Sequence, residues 1–420
     1  MQVIFVIVTI IGSIYFLFSK RQFDMFSIAF FSGCVYFLPG YFGYVFDPST
    51  GSFLGIPIEL ETYCVMTAIV GAILLMAVLF DLLFKNYQPR TIIRGNMWSV
   101  QLAVLTAIIG FIMTVATTGD ALLAPDKNIM MAQLNRWHTL WVTAASLGAV
   151  LSFRRSRWGL FAICMFLLFF DMYIGFRVSF AITLISIFTL WAGDKGRQRF
   201  AVRSWKIGAI GLASALFLFA YKHLCIAVKL GDWHLIMKQL LCLDFYITAI
   251  THSEPFVTQT ILNQVLSKRF VAGMEHFTGL VYQFILFSSE LGAKATSFND
   301  LFQPVLFPDA VGWGMANNIW AEMWSSGGWP LLILFLIVFV LVLAIGSYLI
   351  RSADPEIAAG SAVLFSYWAF YIHRNDLLYQ INLEKDVMLV WIICTLGSQL
   401  LSTMSKRTVR DPHLSKQPIQ

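Results

Sequence analysis

Charge is what this chain has least of. Asp, Glu, Lys and Arg make up 12% of its 420 residues, roughly half the share usual in a soluble domain. With 58% of the residues hydrophobic and 15% aromatic, that scarcity excludes a single water-facing globule, since no one core hides so much apolar surface. Cysteine is also scarce. Four of the six (Cys34, Cys64, Cys164, Cys394) fall inside apolar runs, where a thiol behaves as a small apolar group. The other two, Cys225 and Cys242, both fall early in a long segment between apolar runs, and whether they pair depends on the redox compartment. No Cys/His spacing suggests a metal, and nothing in the chain calls for a cofactor. A basic stripe on a soluble segment is missing, so the net charge of +6 does not point to nucleic acid. Nor is there an internal repeat of the kind that builds inverted transporter halves.

What is present is a series of long apolar runs. A helix rises about 1.5 Å per residue and needs about 20 apolar residues to cross the bilayer. Candidate spans lie near 2–18, 25–46, 60–84, 97–117, 138–153, 158–174, 178–192, 207–223, 329–350, 357–373 and 386–402. The expected fold is therefore all-α, with about eleven transmembrane helices. The first run has no basic residues before it and no small-residue cleavage site after it, so it reads as a retained helix.

The basic residues test this parse independently. Lys20-Arg21, Lys85/Arg90/Arg94, Arg154-Arg155/Arg157, the group Lys195 to Lys206, Arg351 and the tail Lys406 to Lys416 all follow odd-numbered spans, 18 residues in all. The short loops of the other side hold five: Lys127, Arg136, Arg177, Arg374 and Lys385. The positive-inside rule then puts the N-terminus outside and the C-terminus in the cytoplasm, with the basic face against anionic lipid.

Eight helices within 1–223 are expected to lead into a large outer loop, 224–328, followed by three helices in 329–402 and a tail, 403–420. A loop that long is usually functional or a small domain. Residues 257–270 place Val257, Ile261, Leu262, Val265 and Leu266 on one helical face and polar residues opposite, which predicts an amphipathic helix at the membrane surface. Stretches 239–250 and 277–287 are too short to span and read as re-entrant or interfacial helices.

Six of the seven histidines fall in this loop or on the same side, including His138, His252, His276 and His373. The costly cations lie there too. Arg177 sits in the tight turn Gly175-Phe176-Arg177, and Arg374 ends the tenth span; Asp171 and Asp376 are their plain structural partners. Lys268-Arg269 closes the amphipathic helix. Guanidinium groups donate paired hydrogen bonds to phosphate oxygens without losing charge. Arg177, Arg374 and Arg269 are thus candidate pyrophosphate ligands in a cationic cup, which needs no metal. Glu322, His252 and His276 are candidate bases. Trp320 and Trp324 are candidate sugar-stacking residues with Asn318 beside them, the alternative for the tryptophans being an interfacial aromatic belt.

The pattern Gly312-x-Gly314, Ala321-Glu322, Gly327-Gly328 before a span resembles that of the Wzy-type polymerases of lipid-linked oligosaccharide repeat units. So do the Gly175-x-Arg177 turn, Arg374 after the penultimate span, and the late large loop. The resemblance implies a GT-C-like fold in the bacterial inner membrane with the loop in the periplasm. It implies transfer of glycan between undecaprenyl-pyrophosphate carriers, making O-antigen or a related surface polysaccharide. It also implies a chain-length regulator as partner, and no metal or nucleotide. O-antigen ligases use a loop histidine where this chain has Asn317 and Asn318, which favours polymerase over ligase. A flippase for the same lipid-linked glycan is the alternative from another class.

Overall fold

The computed structural model describes residues 1–50, 52–84, 97–124, 127–196, 224, 227–228, 231–251, 253–285, 295–310 and 315–410. They form α1 (Gln2–Phe18), α2 (Met25–Tyr36), α3 (Pro39–Phe42), the strands β1 (Tyr44–Asp47) and β2 (Ser52–Pro57), α4 (Leu60–Leu83) and α5 (Trp98–Thr118). Next come α6 (Lys127–Gln133), α7 (Arg136–Arg154), α8 (Trp158–Ile174), α9 (Val178–Asp194), α10 (Trp233–Leu240), α11 (Leu243–Thr251) and α12 (Glu254–Ser267). The remainder are α13 (Met274–Tyr282), α14 (Phe298–Leu306), α15 (Ile319–Leu349), α16 (Pro355–Ser366) and α17 (Leu377–Arg410).

The described residues have the helical make-up of an all-α membrane protein, with one small antiparallel hairpin among them, β1–β2. Among the described residues, four helices are long and apolar enough to cross a bilayer: Leu60–Leu83, Trp98–Leu123, Ile319–Leu349 and Leu377–Met404. Gln2–Phe18, Met25–Tyr36, Trp158–Ile174 and Val178–Asp194 are shorter apolar helices. The expected span 207–223 lies outside the described residues.

Three boundaries differ from the sequence reading. The second apolar run is helical only to Tyr36, because Pro39 lacks an amide donor and Gly43 turns left-handed at φ +85°. Its remainder forms α3 and enters the hairpin. The last helix starts at Leu377, nine residues before the expected span, capped by the Asp376 carboxylate, which accepts from Tyr379 N–H at 2.8 Å. The penultimate helix loosens into a π-helical stretch, Tyr367–Tyr371, and a 3₁₀ turn, Ile372–Arg374.

The chain divides into two compact units. The first comprises residues 1–89, 191–350 and 364–385; the second comprises 90–190, 351–363 and 386–420. In the first, α12 packs on β1, α2, α4 and α15. It is not the surface-lying amphipathic helix expected, for its polar side is buried as well. Asn263 accepts from Glu59 N–H and Thr62 Oγ1, both at 2.9 Å, and donates to Pro57 O at 3.1 Å. Thr260 Oγ1 donates to Phe46 O at 2.7 Å. The polar residues look like a water-facing stripe but serve to stitch α12 to the hairpin and to the start of α4.

Also in the first unit, Arg21 is buried and held by Asp24 at 3.1 Å and Asp81 at 2.9 Å. It is therefore a structural cation and not one offered to lipid. In the second unit, small residues allow close helix contact: a Cβ on Gly110 would lie 2.8 Å from Trp141 N, and one on Gly148 the same distance from Cys164 Sγ.

Candidate functional site

The first unit gathers its polar groups around residues 372–377, between the π-helical stretch and α17. π-Helical segments occur often at functional sites, and here Ser32 Oγ donates to the Phe370 carbonyl at 2.8 Å. Four of the residues that follow have hydrogen-bond partners from other parts of the chain. His373 Nδ1 accepts from Trp320 Nε1 at 3.0 Å, and the Arg374 carbonyl accepts from Asn317 N–H at 3.0 Å. Asp376 Oδ2 accepts from Ser297 Oγ (2.6 Å), Phe298 N–H (3.1 Å) and Asn317 Nδ2 (3.0 Å). The amide of Leu377 donates to Glu322 Oε2 at 2.7 Å.

Glu322 is fully buried in the first turn of α15. Asn318 caps this helix by accepting from the amides of Trp320 and Ala321. The second oxygen of Glu322, Oε1, lies 2.9 Å from His276 Nε2. Each carboxylate oxygen of Glu322 thus has one partner, the imidazole on Oε1 and the Leu377 amide on Oε2. His276 Nδ1 has no protein partner among the described residues and is the atom of the pair left for other chemistry. The sequence offered Glu322 and His276 as competing bases, and the structure makes them one unit, a carboxylate orienting a histidine.

The backbone explains how His276 reaches Glu322. Helix α15 breaks at Gly327 and Gly328, the latter at φ +65° and ψ −159°, a conformation reserved for glycine. The break frees the Ser325 carbonyl from its helical partner. The amides of Ala272 (3.0 Å) and Gly273 (3.3 Å) take it up. That contact docks the loop before α13, whose first turn carries His276.

Arg374 points elsewhere. Its Nη1 lies 2.8 Å from Glu254 Oε2 at the start of α12, with 28% and 17% of the two side chains exposed. The expected partner was Asp376, but that carboxylate is consumed by capping α17 and binding the 297–298 and 317 segments. Burial disfavours the Arg374 charge, yet Glu254 and the surrounding phenols more than offset it and raise its pKa above the ordinary arginine value.

Arg269 does not join Arg374 in one cup. It follows the far end of α12, while Arg374 meets Glu254 at the near end, about 20 Å away at 1.5 Å per residue. Its side chain is 79% exposed, with Glu61 at 3.7 Å. Its backbone is left-handed at φ +49°. Phe270 N–H bonds back to Val265 O and Arg269 N–H to Leu266 O, a C-terminal turn that glycine usually closes.

Two of the three sugar-contact candidates are corrected as well. Trp320 is fully buried, its ring packed against Phe335, Phe339 and His373, so no face is left for a ligand. The Asn318 amide is spent on the cap and on Thr258 O at 2.9 Å. Trp324 is half-buried, and its indole N–H has no partner among the described residues. His252, Gly312 and Gly314 lie outside the described residues, as does Cys225; Cys242 is exposed.

Arg177 belongs to the second unit. Gly175, at φ +116°, closes α8 and turns the chain into α9, where the Arg177 carbonyl accepts from Ala181 N–H. Asp171, its expected partner, is buried and lies 2.8 Å from His138 Nε2.

Sequence reasoning missed Glu254 and the organising role of Asp376. The second carried a signal, an aspartate directly before an apolar helical run, which is an N-cap signature. Among the described residues no His/Cys/Asp/Glu cluster is arranged to hold a metal. No family model matches the chain, and comparison with curated proteins and with solved structures gives no match.

Proposed function

We propose that this protein is an integral-membrane glycosyltransferase that extends undecaprenyl-pyrophosphate-linked oligosaccharides, a polymerase of the Wzy type with a GT-C-like fold of about eleven spans. The observation that carries this reading is the buried His276–Glu322 couple, whose carboxylate accepts from the Leu377 amide just past the turn that carries Arg374. His276 Nδ1 takes the proton of the acceptor hydroxyl as its oxygen bonds to the anomeric carbon of the donor. The bond from that carbon to the diphosphate breaks, and undecaprenyl pyrophosphate leaves. Arg374 neutralises the departing charge, the electrostatic part of such catalysis. Membrane lipid surrounds the protein in the bacterial inner membrane, with the loop and the N-terminus periplasmic and the C-terminus cytoplasmic. A chain-length regulator is the partner implied.

One observation favours a second reading, the O-antigen ligase. The sequence argued against it because no histidine stands at Asn317–Asn318, but His276 arrives beside Glu322 from another part of the loop. The deciding experiment incubates purified protein with lipid-linked repeat units alone. Lengthening of the glycan supports the polymerase. Transfer only when lipid A is supplied supports the ligase. No new glycosidic bond under either condition overturns both and leaves a flippase.

A further inference from the structure

Arg374 stands among aromatic rings of the first unit that the proposed reaction does not use. Its guanidinium lies 2.8 Å from Glu254, and its guanidinium carbon lies 5.3 Å from the centre of the Tyr371 ring. Tyr371 in turn is 6.4 Å, centre to centre, from Tyr379 in the first turn of α17, the two rings tilted by 54°. Tyr36, Tyr371 and Tyr379 are all close enough to act on the Arg374 charge. They differ in what they show to a ligand. Tyr36 and Tyr371 are each 5% exposed, whereas Tyr379 is 47% exposed.

The chemistry of a lipid-linked donor says what must lie beside Arg374. Its first sugar is bonded directly to the diphosphate, so a diphosphate at Arg374 brings a pyranose next to it. A pyranose has apolar C–H faces and a rim of hydroxyls, and an aromatic ring under one face buries the apolar part while leaving the rim to polar groups. Trp320, the ring expected to serve, is fully buried. Tyr379 is the exposed one of the three rings around Arg374, and its backbone is pinned. Its N–H donates to Asp376 Oδ1 at 2.8 Å, and the other oxygen of that carboxylate joins Ser297, Phe298 and Asn317. A ring carried on so fixed a backbone loses little freedom when a ligand settles on it.

We infer that Tyr379 is the platform for the first sugar of the lipid-linked donor, its ring stacked on the pyranose while Arg374 holds the diphosphate. This rests on the proposed reaction, which puts that diphosphate at Arg374. Tyr379 then reads the sugar, and Arg374 reads the charge. The plain alternative is an interfacial tyrosine at the head of a spanning helix, a role indifferent to sugar.

The test uses full-length protein purified in detergent. Calorimetry measures its affinity for farnesyl pyrophosphate and for the conjugates of that compound with glucose, galactose and N-acetylglucosamine. Wild type is expected to bind at least one conjugate about tenfold tighter than farnesyl pyrophosphate. Tyr379→Leu keeps an apolar, helix-forming side chain and is expected to remove that advantage, leaving the affinity for farnesyl pyrophosphate and the thermal midpoint unchanged. Tyr379→Phe keeps the ring and is expected to keep the advantage. An equal loss for farnesyl pyrophosphate and the conjugates in Tyr379→Leu marks the interfacial role and overturns the platform. A wild type that binds no conjugate tighter than farnesyl pyrophosphate overturns it too, whatever the variants do. The two proposals fail separately. A sugar advantage lost in Tyr379→Leu, with no glycosidic bond formed by wild type, sinks the reaction alone. Chain growth with the advantage intact in Tyr379→Leu sinks the platform alone.

Discussion

His276 Nε2 and Glu322 Oε1 lie 2.9 Å apart, although 46 residues separate them in the chain. The second Glu322 oxygen is held by the Leu377 amide, so the carboxylate cannot swing away from the ring without stranding a buried donor. Removing the imidazole by His276→Ala is expected to lower kcat for chain extension by about 10²–10⁴, the range of a lost general base. Glu322→Gln keeps an acceptor for Leu377 and loses the negative charge behind the ring. A smaller fall in kcat with KM unchanged is expected there. Single-turnover extension assays measure both, and wild-type rates in His276→Ala would remove the histidine from the reaction.

Gly328 is the hinge that makes this contact. An L-residue at φ +65°, ψ −159° costs about 1–3 kcal/mol, and the strain falls on the segment that presents the Ser325 carbonyl to Ala272 and Gly273. Gly328→Ala is therefore expected to lower the thermal midpoint and to lower activity further than that loss of stability explains. Gly327→Ala meets Leu331 Cβ at 2.7 Å and Met274 Sδ at 3.0 Å, so it presses on α13 directly. If both variants keep the wild-type midpoint and rate, the break in α15 does not position His276.

Most of the described apolar helices were legible in the sequence because apolar length is set locally. The positions of Glu322 and Arg374 as costly polar residues were legible for the same reason. Their partners were not. Glu254, Ser297 and Asn317 reach the 372–377 turn from segments up to 120 residues distant, His276 reaches Glu322 across 46 residues, and no local pattern encodes such a meeting. The polar stripe of α12 misled because Asn263 carries the composition of a solvated face while bonding to the Pro57 carbonyl, the Glu59 amide and the Thr62 hydroxyl. Trp320 misled likewise, since burial and display use the same residue type.

Asp376 ties three segments together, accepting from Ser297, Phe298 and Asn317 with one oxygen and from Tyr379 with the other. Asp376→Ala strands these donors where it is 1% exposed, and each buried unsatisfied group costs about 1–3 kcal/mol. The expected result is a loss of about 3 kcal/mol or more in detergent unfolding, with Asp376→Asn intermediate because its amide keeps one acceptor. A destabilisation below about 1 kcal/mol in the alanine variant would mean that other groups hold the turn.

Arg374 is already engaged by a carboxylate, so an incoming diphosphate must displace Glu254. The raised pKa keeps the guanidinium charged throughout the physiological range, and its titration adds no pH dependence. Glu254→Gln removes the competitor's charge and is expected to lower KM for the lipid-linked donor. Arg374→Lys keeps a charge but loses the paired donors and is expected to raise KM and lower kcat. An unchanged KM in Glu254→Gln would place the diphosphate away from Arg374.

Cys242 offers a direct test of orientation. It is exposed just before α11, whereas Cys164 and Cys394 are buried and Cys34 and Cys64 half-buried. If the loop faces the periplasm, a membrane-impermeant maleimide labels Cys242 in cells whose outer membrane alone is permeabilised. Cys242→Ser then removes that label, which separates it from Cys225. Labelling that requires rupture of the inner membrane would invert the arrangement. The basic clusters would then face outward against the positive-inside rule, and His276 and Arg374, on the same loop and its neighbouring turn, would meet cytoplasmic substrates. That outcome would exclude a lipid carrier presented from the periplasm and with it the polymerase reading.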